Sequence, residues 1–342
     1  MRILATALEQ SANLHLGKVM EEVGGGVEWR GIYSPQLGTP DFDSNRFNRM
    51  GFLEIVPKIV EAKRTISKLA QLSLHCDKVL LIDSPAFNIP LAREIKRVNP
   101  FIPIFYYILP KVWAWGEGRV EKVERWTDRQ LYIFPFEGKF WKNGEYVGNP
   151  LLDYLPDVKK DREQKIAFLP GSRPSEIKKL MGLFRKLASH FPEMERELVI
   201  APNLKKRLDL FGDLSQFKLS FDSIKTLSTA RFAYICSGTA TLESALLGTP
   251  FALLYRAGWL DYWIAKRLVK VKYIGLANII LTQEGYSPLH REFIQEFPIE
   301  ELVTLPRKEE GEKFKEGARL LRSILQSGAA ANVAKRVLDT EK

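Results

Sequence analysis

The sequence has little of what staples or metallates a small protein. Cysteine occurs twice in 342 residues, at Cys76 and Cys236, which is too sparse for a disulfide framework or zinc-ligand spacing. A reducing compartment is the natural expectation. The four histidines, His15, His75, His190 and His290, have no ligand-spaced neighbours, so no metal is expected. Long apolar runs are also missing. The longest, residues 101–110 (FIPIFYYILP), has ten residues, where a membrane-spanning helix needs about 20. The N-terminus MRILATALEQ reaches Glu9 before any stretch that reads as a signal peptide. Neither a Walker A loop nor a G-x-G-x-x-G fingerprint occurs, which argues against an ATPase or a nicotinamide dehydrogenase.

What is present is an ordinary globular composition, 45% hydrophobic and 27% charged, in a chain long enough for two domains. The net charge of +10 admits an anionic membrane surface, a phosphorylated substrate or a nucleic acid. The excess is spread over both halves, with no basic tail and no long block of like charge, so no nucleic-acid partner is expected.

Short, nearly uniformly apolar runs alternate with helix-period segments. Residues 2–7, 27–33, 78–82, 102–108 and 131–134 read as strands of a parallel sheet covered on both faces. Gly24-Gly25-Gly26 follows a helix, as a C-terminal cap does, instead of preceding one as a phosphate loop would. Apolar periodicity breaks at residues 151–165 and restarts with strands at 166–169, 198–201, 232–236 and 251–255. Two such series predict two doubly wound domains facing a cleft: residues 1–155, residues 156–307, and a helical tail over 308–342.

Two strand–turn–helix junctions carry the strongest chemistry. In IAFLPGSRPSEI a strand runs into Gly171, Ser172 and Arg173. In FAYICSGTATLE a strand runs into Ser237, Gly238 and Thr239, with Thr241 and Glu243 inside the helix that follows. Glycine lets an anion approach backbone N–H groups at a helix N-terminus, and Arg173 supplies a forked cation. Helix capping explains either junction alone, whereas two at equivalent sheet positions favour a phosphate site. In the first half, Asp83 ends a strand, where it can deprotonate an alcohol or cap the next helix. Glu9, Ser11, Asn13 and His15 follow the first strand toward the same edge. Two amphipathic segments, the bulky apolar residues 50–57 flanked by Arg46, Arg49 and Lys58 and the aromatic, basic residues 258–273, have the composition of a membrane-interface contact or of a core rim.

Together these blocks, MGFLEIVPKI, LLIDSPAFNIPLA, KVWAWGEGRV, FPFE, YVGNPLLD, LPGSRPSEI, SGTATLESALLGTPF and WIAKRLVKVKYIGLANII, resemble lipid-A-disaccharide synthase. The resemblance covers residues 50–295 and implies a GT-B glycosyltransferase. The family transfers 2,3-diacylglucosamine from UDP-2,3-diacylglucosamine to the 6-hydroxyl of 2,3-diacylglucosamine 1-phosphate, without a cofactor. By motif, Asp83 matches the essential aspartate and Arg173 the arginine of the GSR turn, the pair expected to be catalytic. Donor contacts are expected from Gly171, Ser172, Arg173 and Glu176, from Ser237, Gly238, Thr239, Thr241 and Glu243, and from Arg256 and Asn278. On the acceptor side stand Glu9, Ser11, Asn13, His15, Asn88, Trp115, Arg119 and Glu137. Met50, Phe52, Leu53, Ile55 and Val56 are expected to touch an anionic inner membrane from its cytoplasmic face in a Gram-negative cell. Glu292 and Gln295 look like the family's ELLQ element.

The N-terminus departs from the family. The usual GExSGDLHG is here LEQSANLHL, with three glycines lost and Asn13 in place of Asp; Ala86 replaces the second acid of DxPDFN, and Asn149 the histidine of VGHPL. These departures fall in the acceptor half, and the donor motifs are intact. Two rivals stay open: another UDP-sugar enzyme of this fold, either a glycosyltransferase acting on another lipid or an epimerase, and a non-catalytic UDP-sugar-binding protein at the membrane surface. Self-association is left open as well.

Overall fold

The computed structural model describes residues 1–45, 55–256, 272–308 and 310–339, with the side chains of 55–59 also outside the description. Met50, Phe52 and Leu53, the side chains of Ile55 and Val56, and nearly all of segment 258–273 thus lie outside the described residues. No helix among the described residues is long and apolar enough to cross a membrane.

Contacts divide the chain into two compact units, Met1–Asp153 with Leu325–Lys342, and Tyr154–Ile324. The first runs β1 (Arg2–Thr6), α1 (Gln10–Val23), β2 (Glu28–Tyr33), β3 (Phe42–Asp43), α2 (Ile55–Leu72), β4 (Lys78–Ile82), α3 (Pro85–Val98), β5 (Ile104–Tyr107), α4 (Arg119–Trp126), β6 (Arg129–Tyr132) and β7 (Gly144–Tyr146). Its seven strands are parallel in the order β3-β2-β1-β4-β5-β6-β7. Alternate residues of each strand serve opposite faces, which is why the strands read as continuously apolar. Leu4, Val79, Leu81 and Ile104 share one core with Leu69, Leu91 and Ile95. Ile3, Ala5, Leu80 and Phe105 share the other with Leu16 and Val19.

The second unit runs β8 (Glu163–Leu169), α5 (Pro174–Ala188), β9 (Glu195–Val199), β10 (Lys218–Ser220), α6 (Ser223–Thr229), β11 (Ala230–Cys236), α7 (Thr239–Leu246), β12 (Phe251–Tyr255), α8 (Leu276–Gln283), β13 (Arg291–Ile294), α9 (Ile299–Thr304) and α10 (Gly311–Leu325). Its strands are parallel in the order β10-β9-β8-β11-β12-β13. Ile166, Phe168, Phe232 and Tyr234 pack on Ile177, Leu180 and Phe184 of α5.

The tail does not form a third unit. α10 packs with the second unit, where Arg322 donates to Leu246 O (3.0 Å) and Phe314 meets Phe251 edge-on at 5.8 Å. The last helix, α11 (Ala329–Leu338), belongs to the first. Its apolar stripe of Ala330, Val333, Ala334 and Val337 completes the Ile3–Leu80 core. Its N-terminus is capped by Asp153, whose carboxylate accepts from the amides of Gly328 (2.8 Å), Ala329 (3.2 Å) and Ala330 (2.8 Å). Asn149, at the family's histidine position, accepts from Leu151 N on its side-chain oxygen (3.1 Å), and its backbone N–H donates to Leu325 O and Gln326 O, both at 3.0 Å. It thereby pins the returning chain to the first unit.

Candidate functional site

In a doubly wound sheet, ligands gather at the carboxyl ends of the two strands where chain order reverses. In the first unit these strands are β1 and β4; in the second they are β8 and β11. All four carboxyl ends carry residues singled out by the sequence.

After β4, Asp83 (φ 51°) and Ser84 (φ 45°) are consecutive left-handed residues, and neither is glycine. Each costs about 1–2 kcal/mol in that region, so the turn persists only because its surroundings fix it. Asp83 N donates to Tyr107 O (3.0 Å), and the Tyr106 hydroxyl donates to Asp83 O (2.9 Å). Asn88 is fully buried, and its amide donates to Ile82 O (3.1 Å) and Asp83 O (2.7 Å). Burial raises the Asp83 carboxyl above the usual carboxylate range, offset in part by the Ser84 amide and the charge of Lys111. A carboxylate destabilised in this way is a stronger base, as proton abstraction requires.

After β1, Glu9 and Ser11 are exposed at the start of α1, whereas Asn13 and His15 are buried. Asn13 donates to Ala7 O and Glu9 O (both 2.9 Å) and to Ser44 Oγ (3.2 Å), and accepts from Ser34 N (2.6 Å). An ionised aspartate could not make those donations. Burial holds His15 neutral, lowered to about 4.

The VWAW and FPFE blocks meet through Glu137, which is buried. It accepts from Trp113 Nε1 (3.0 Å) and from the amides of Ile133 (3.2 Å) and Phe134 (3.1 Å), and burial pushes it up to about 7. Trp115 is half exposed, with the Arg119 guanidinium 3.9 Å above its ring.

In the second unit Gly171 has φ 96°, and a β-carbon there would stand 2.5 Å from Glu176 Oε2 and 3.4 Å from Cys236 Sγ. Glycine is thus what lets the β8 turn lie against the end of β11. Arg173 is 76% exposed and holds Glu176 only loosely, at 3.4 Å, so its guanidinium can turn to an anion at little cost. Ser172, Gly238 and Thr239 are exposed at the starts of α5 and α7, and Ser237 is half-buried beside them. Thr241 is buried, and its hydroxyl donates back to Gly238 O (2.8 Å), three residues earlier, so that hydrogen is spent within the helix. Glu243 is pushed up to about 7 by burial, and its charge raises the neighbouring Tyr154 phenol further than burial alone. Arg256 is exposed, with its guanidinium 4.8 Å from the centre of the Phe297 ring.

Asn278 is fully buried. It donates to His290 O and Glu292 Oε1 (both 2.9 Å) and accepts from the amides of Leu289 (2.8 Å) and His290 (3.2 Å). Glu292 also receives Ile274 N (2.8 Å) and Gly275 N (3.1 Å), while Gln295 closes β13 in a left-handed turn (φ 69°). Asn278 therefore ties α8 to β13, and its amide has no hydrogen left for a ligand. Thr6 and Tyr106 carry no signal in the sequence, because a hydroxyl inside an apolar strand run forms no motif. Among the described residues no group of three or more His, Cys, Asp or Glu could hold a metal ion. The arrangement offers a half-buried carboxyl at one switch point and exposed N–H and guanidinium donors at the other.

Comparison with known proteins gives the family. A family model described as lipid-A-disaccharide synthetase matches residues 3–328. The lipid-A-disaccharide synthase of Campylobacter jejuni (strain RM1221) is 43% identical over 356 aligned positions, covering 97% of this chain and 98% of that one. That of Helicobacter pylori (strain J99) is 41% identical, covering 98% and 97%. Among solved structures, the glycosyltransferase SnogD from Streptomyces nogalater superposes with a TM-score of 0.56 at 16% identity, over 99% of this chain and 98% of that one. The fold is GT-B.

Proposed function

The chain belongs to the lipid-A-disaccharide synthase family, and on that premise we propose how its residues divide the reaction. The chain is a glycosyltransferase: it transfers 2,3-diacylglucosamine from UDP-2,3-diacylglucosamine to the 6-hydroxyl of 2,3-diacylglucosamine 1-phosphate. The products are the β-1,6 disaccharide 1-phosphate and UDP. Going from an α-linked donor to a β product requires inversion, hence one displacement. The acceptor O6 attacks the donor's anomeric carbon as the bond to the diphosphate breaks. The O6 proton passes to a base, and UDP leaves with the electron pair.

We assign the base to Asp83, which the first unit holds at the end of β4, and UDP to the second unit. Arg173 and the amides of the Ser172 and Ser237–Thr239 turns would neutralise the departing diphosphate, helped by the N-termini of α5 and α7. Glu243 would accept from ribose hydroxyls. The observation that carries this reading is the meeting of the Gly171 and Cys236 ends, which puts both anion-type turns at one switch point. Contact with the anionic inner membrane is assigned to the segment from Met50 to Val56, and rests on its apolar sequence and on the acyl chains of both substrates.

Purified protein incubated with both acylated sugars should yield the disaccharide phosphate and UDP, read by mass spectrometry. A UDP-sugar isomer without disaccharide would favour an epimerase, and no product at all a binding protein. Arg173→Ala should weaken UDP binding by roughly 10–100-fold, the range for losing charge-assisted hydrogen bonds. Titration calorimetry reads this directly, and an unaltered affinity would move Arg173 out of the site.

A further inference from the structure

The left-handed turn at Asp83 is held by three side chains from three different elements. Asn88 of α3 takes both Ile82 O (3.1 Å) and Asp83 O (2.7 Å). Tyr106 of β5 gives its only hydroxyl hydrogen to Asp83 O (2.9 Å). Thr6 of β1 donates to Asn88 Oδ1 (2.9 Å) and accepts from Ile82 N (3.4 Å), which fixes which way the Asn88 amide faces. Thr6, Asn88 and Tyr106 are all fully buried. Every donor hydrogen of the three side chains is committed, so none of them can donate to a substrate. Any effect they have on rate must pass through the backbone of residues 82–84.

We propose that Thr6, Asn88 and Tyr106 are positioning residues that fix the direction in which the Asp83 carboxylate leaves the end of β4. With the two carbonyls released, a left-handed L-residue relaxes toward the extended region, and that rotation swings its Cα–Cβ bond. The clamp converges on Asp83 from neighbouring strands on both sides, β1 and β5, and from the helix that follows the turn. Helix capping alone would need only α3.

The proposal rests on Asp83 as the base, and the experiment separates the two. Tyr106→Phe and Thr6→Val each remove a hydroxyl with little change of shape. Each variant, checked for folding by its melting transition, should lose kcat by roughly 10–100-fold, the cost of a misplacement of about 1 Å. KM for both acylated sugars should stay within about twofold, because no substrate contact is lost. Combined with Asp83→Asn, either change should cost nothing further, since there is no carboxylate left to aim. The clamp is overturned if both variants fold and keep wild-type kcat while Asp83→Asn is inactive. Equal losses from Tyr106→Phe with and without Asp83 would likewise overturn it, as a general effect on packing. If Asp83→Asn alone retains full turnover, the base assignment falls and takes the clamp with it.

Discussion

Asp83→Asn should lower turnover by roughly 10²–10⁴-fold, the usual worth of a general base, and leave UDP affinity as it was. The substitution is close to a pure removal of charge. Asn tolerates the left-handed region at least as well as Asp, so the turn at φ 51° gains no strain. The backbone atoms of residue 83 that Asn88 and Tyr106 hold are unchanged. UDP is assigned to the other unit, so its binding measures whether the protein remains intact. Stability should move the opposite way from activity. Burial raises the folded-state pKa of Asp83 above its unfolded value. Such a group contributes fully below the unfolded pKa and loses that contribution as pH rises through the folded one. Where the wild-type carboxyl is ionised it is a half-buried charge that Asn lacks, and there the variant should melt at an equal or higher temperature. The same displacement puts the acid limb of the wild-type kcat profile above the ordinary carboxylate range. Lys111 opposes the shift, and Tyr106, itself raised by burial and by the Asp83 charge, stays protonated across that window. Turnover within about threefold of wild type would remove Asp83 from the chemistry.

The sequence reveals interiors better than edges. The central strands were visible because residues such as Leu80 and Phe168 are buried whichever face they serve. The edge strands β3, β7, β10 and β13 went unread: they have two to four residues each and are only partly apolar. The two anion-type turns were legible as motifs because glycine and a following helix are both local signals. What sequence could not supply was direction. Asn13, Asn88, Thr241 and Asn278 are site-like residue types at site-like positions, yet each spends its hydrogen bonds on the fold. A motif marks a residue that a site needs, and a residue that holds the site in shape is needed as much as one that touches substrate. The break of the tail between two units was hidden for a similar reason. Both α10 and α11 carry an apolar stripe, and it is the packing of the α11 stripe on the Ile3–Leu80 core, with the Asp153 cap and the Asn149 contacts, that shows where the chain crosses back.

Asn278→Asp carries the largest expected cost in stability, about 3–5 kcal/mol at neutral pH, the range for an uncompensated buried charge. The shapes match, and the new carboxylate could still accept from the Leu289 and His290 amides. The two donations fail, however. Where the Asn amide now meets His290 O and Glu292 Oε1 at 2.9 Å, an oxygen would face two oxygens. Two carboxylates so placed cannot both ionise, and the pair must retain a proton. Glu292 is already raised by burial in the wild type, and loses one of the hydrogen bonds that hold it down. The folded-state pKa of the pair then lies above its unfolded value. The variant's stability should be nearly restored in acid and lost as pH rises through that folded pKa, which is opposite in sign to an ordinary salt-bridged carboxylate. Melting temperatures of wild type and variant measured from acid to neutral pH should therefore converge at the acid end. Because Glu292 also holds Ile274 N and Gly275 N, the start of α8 should loosen first, visible as faster hydrogen exchange at those amides. A variant as stable as wild type at neutral pH, but with weakened UDP binding, would instead return Asn278 to the donor site as a direct contact. A drop in melting temperature that grows with pH, with UDP affinity preserved wherever the protein is folded, marks Asn278 as part of the scaffold on which that site is built.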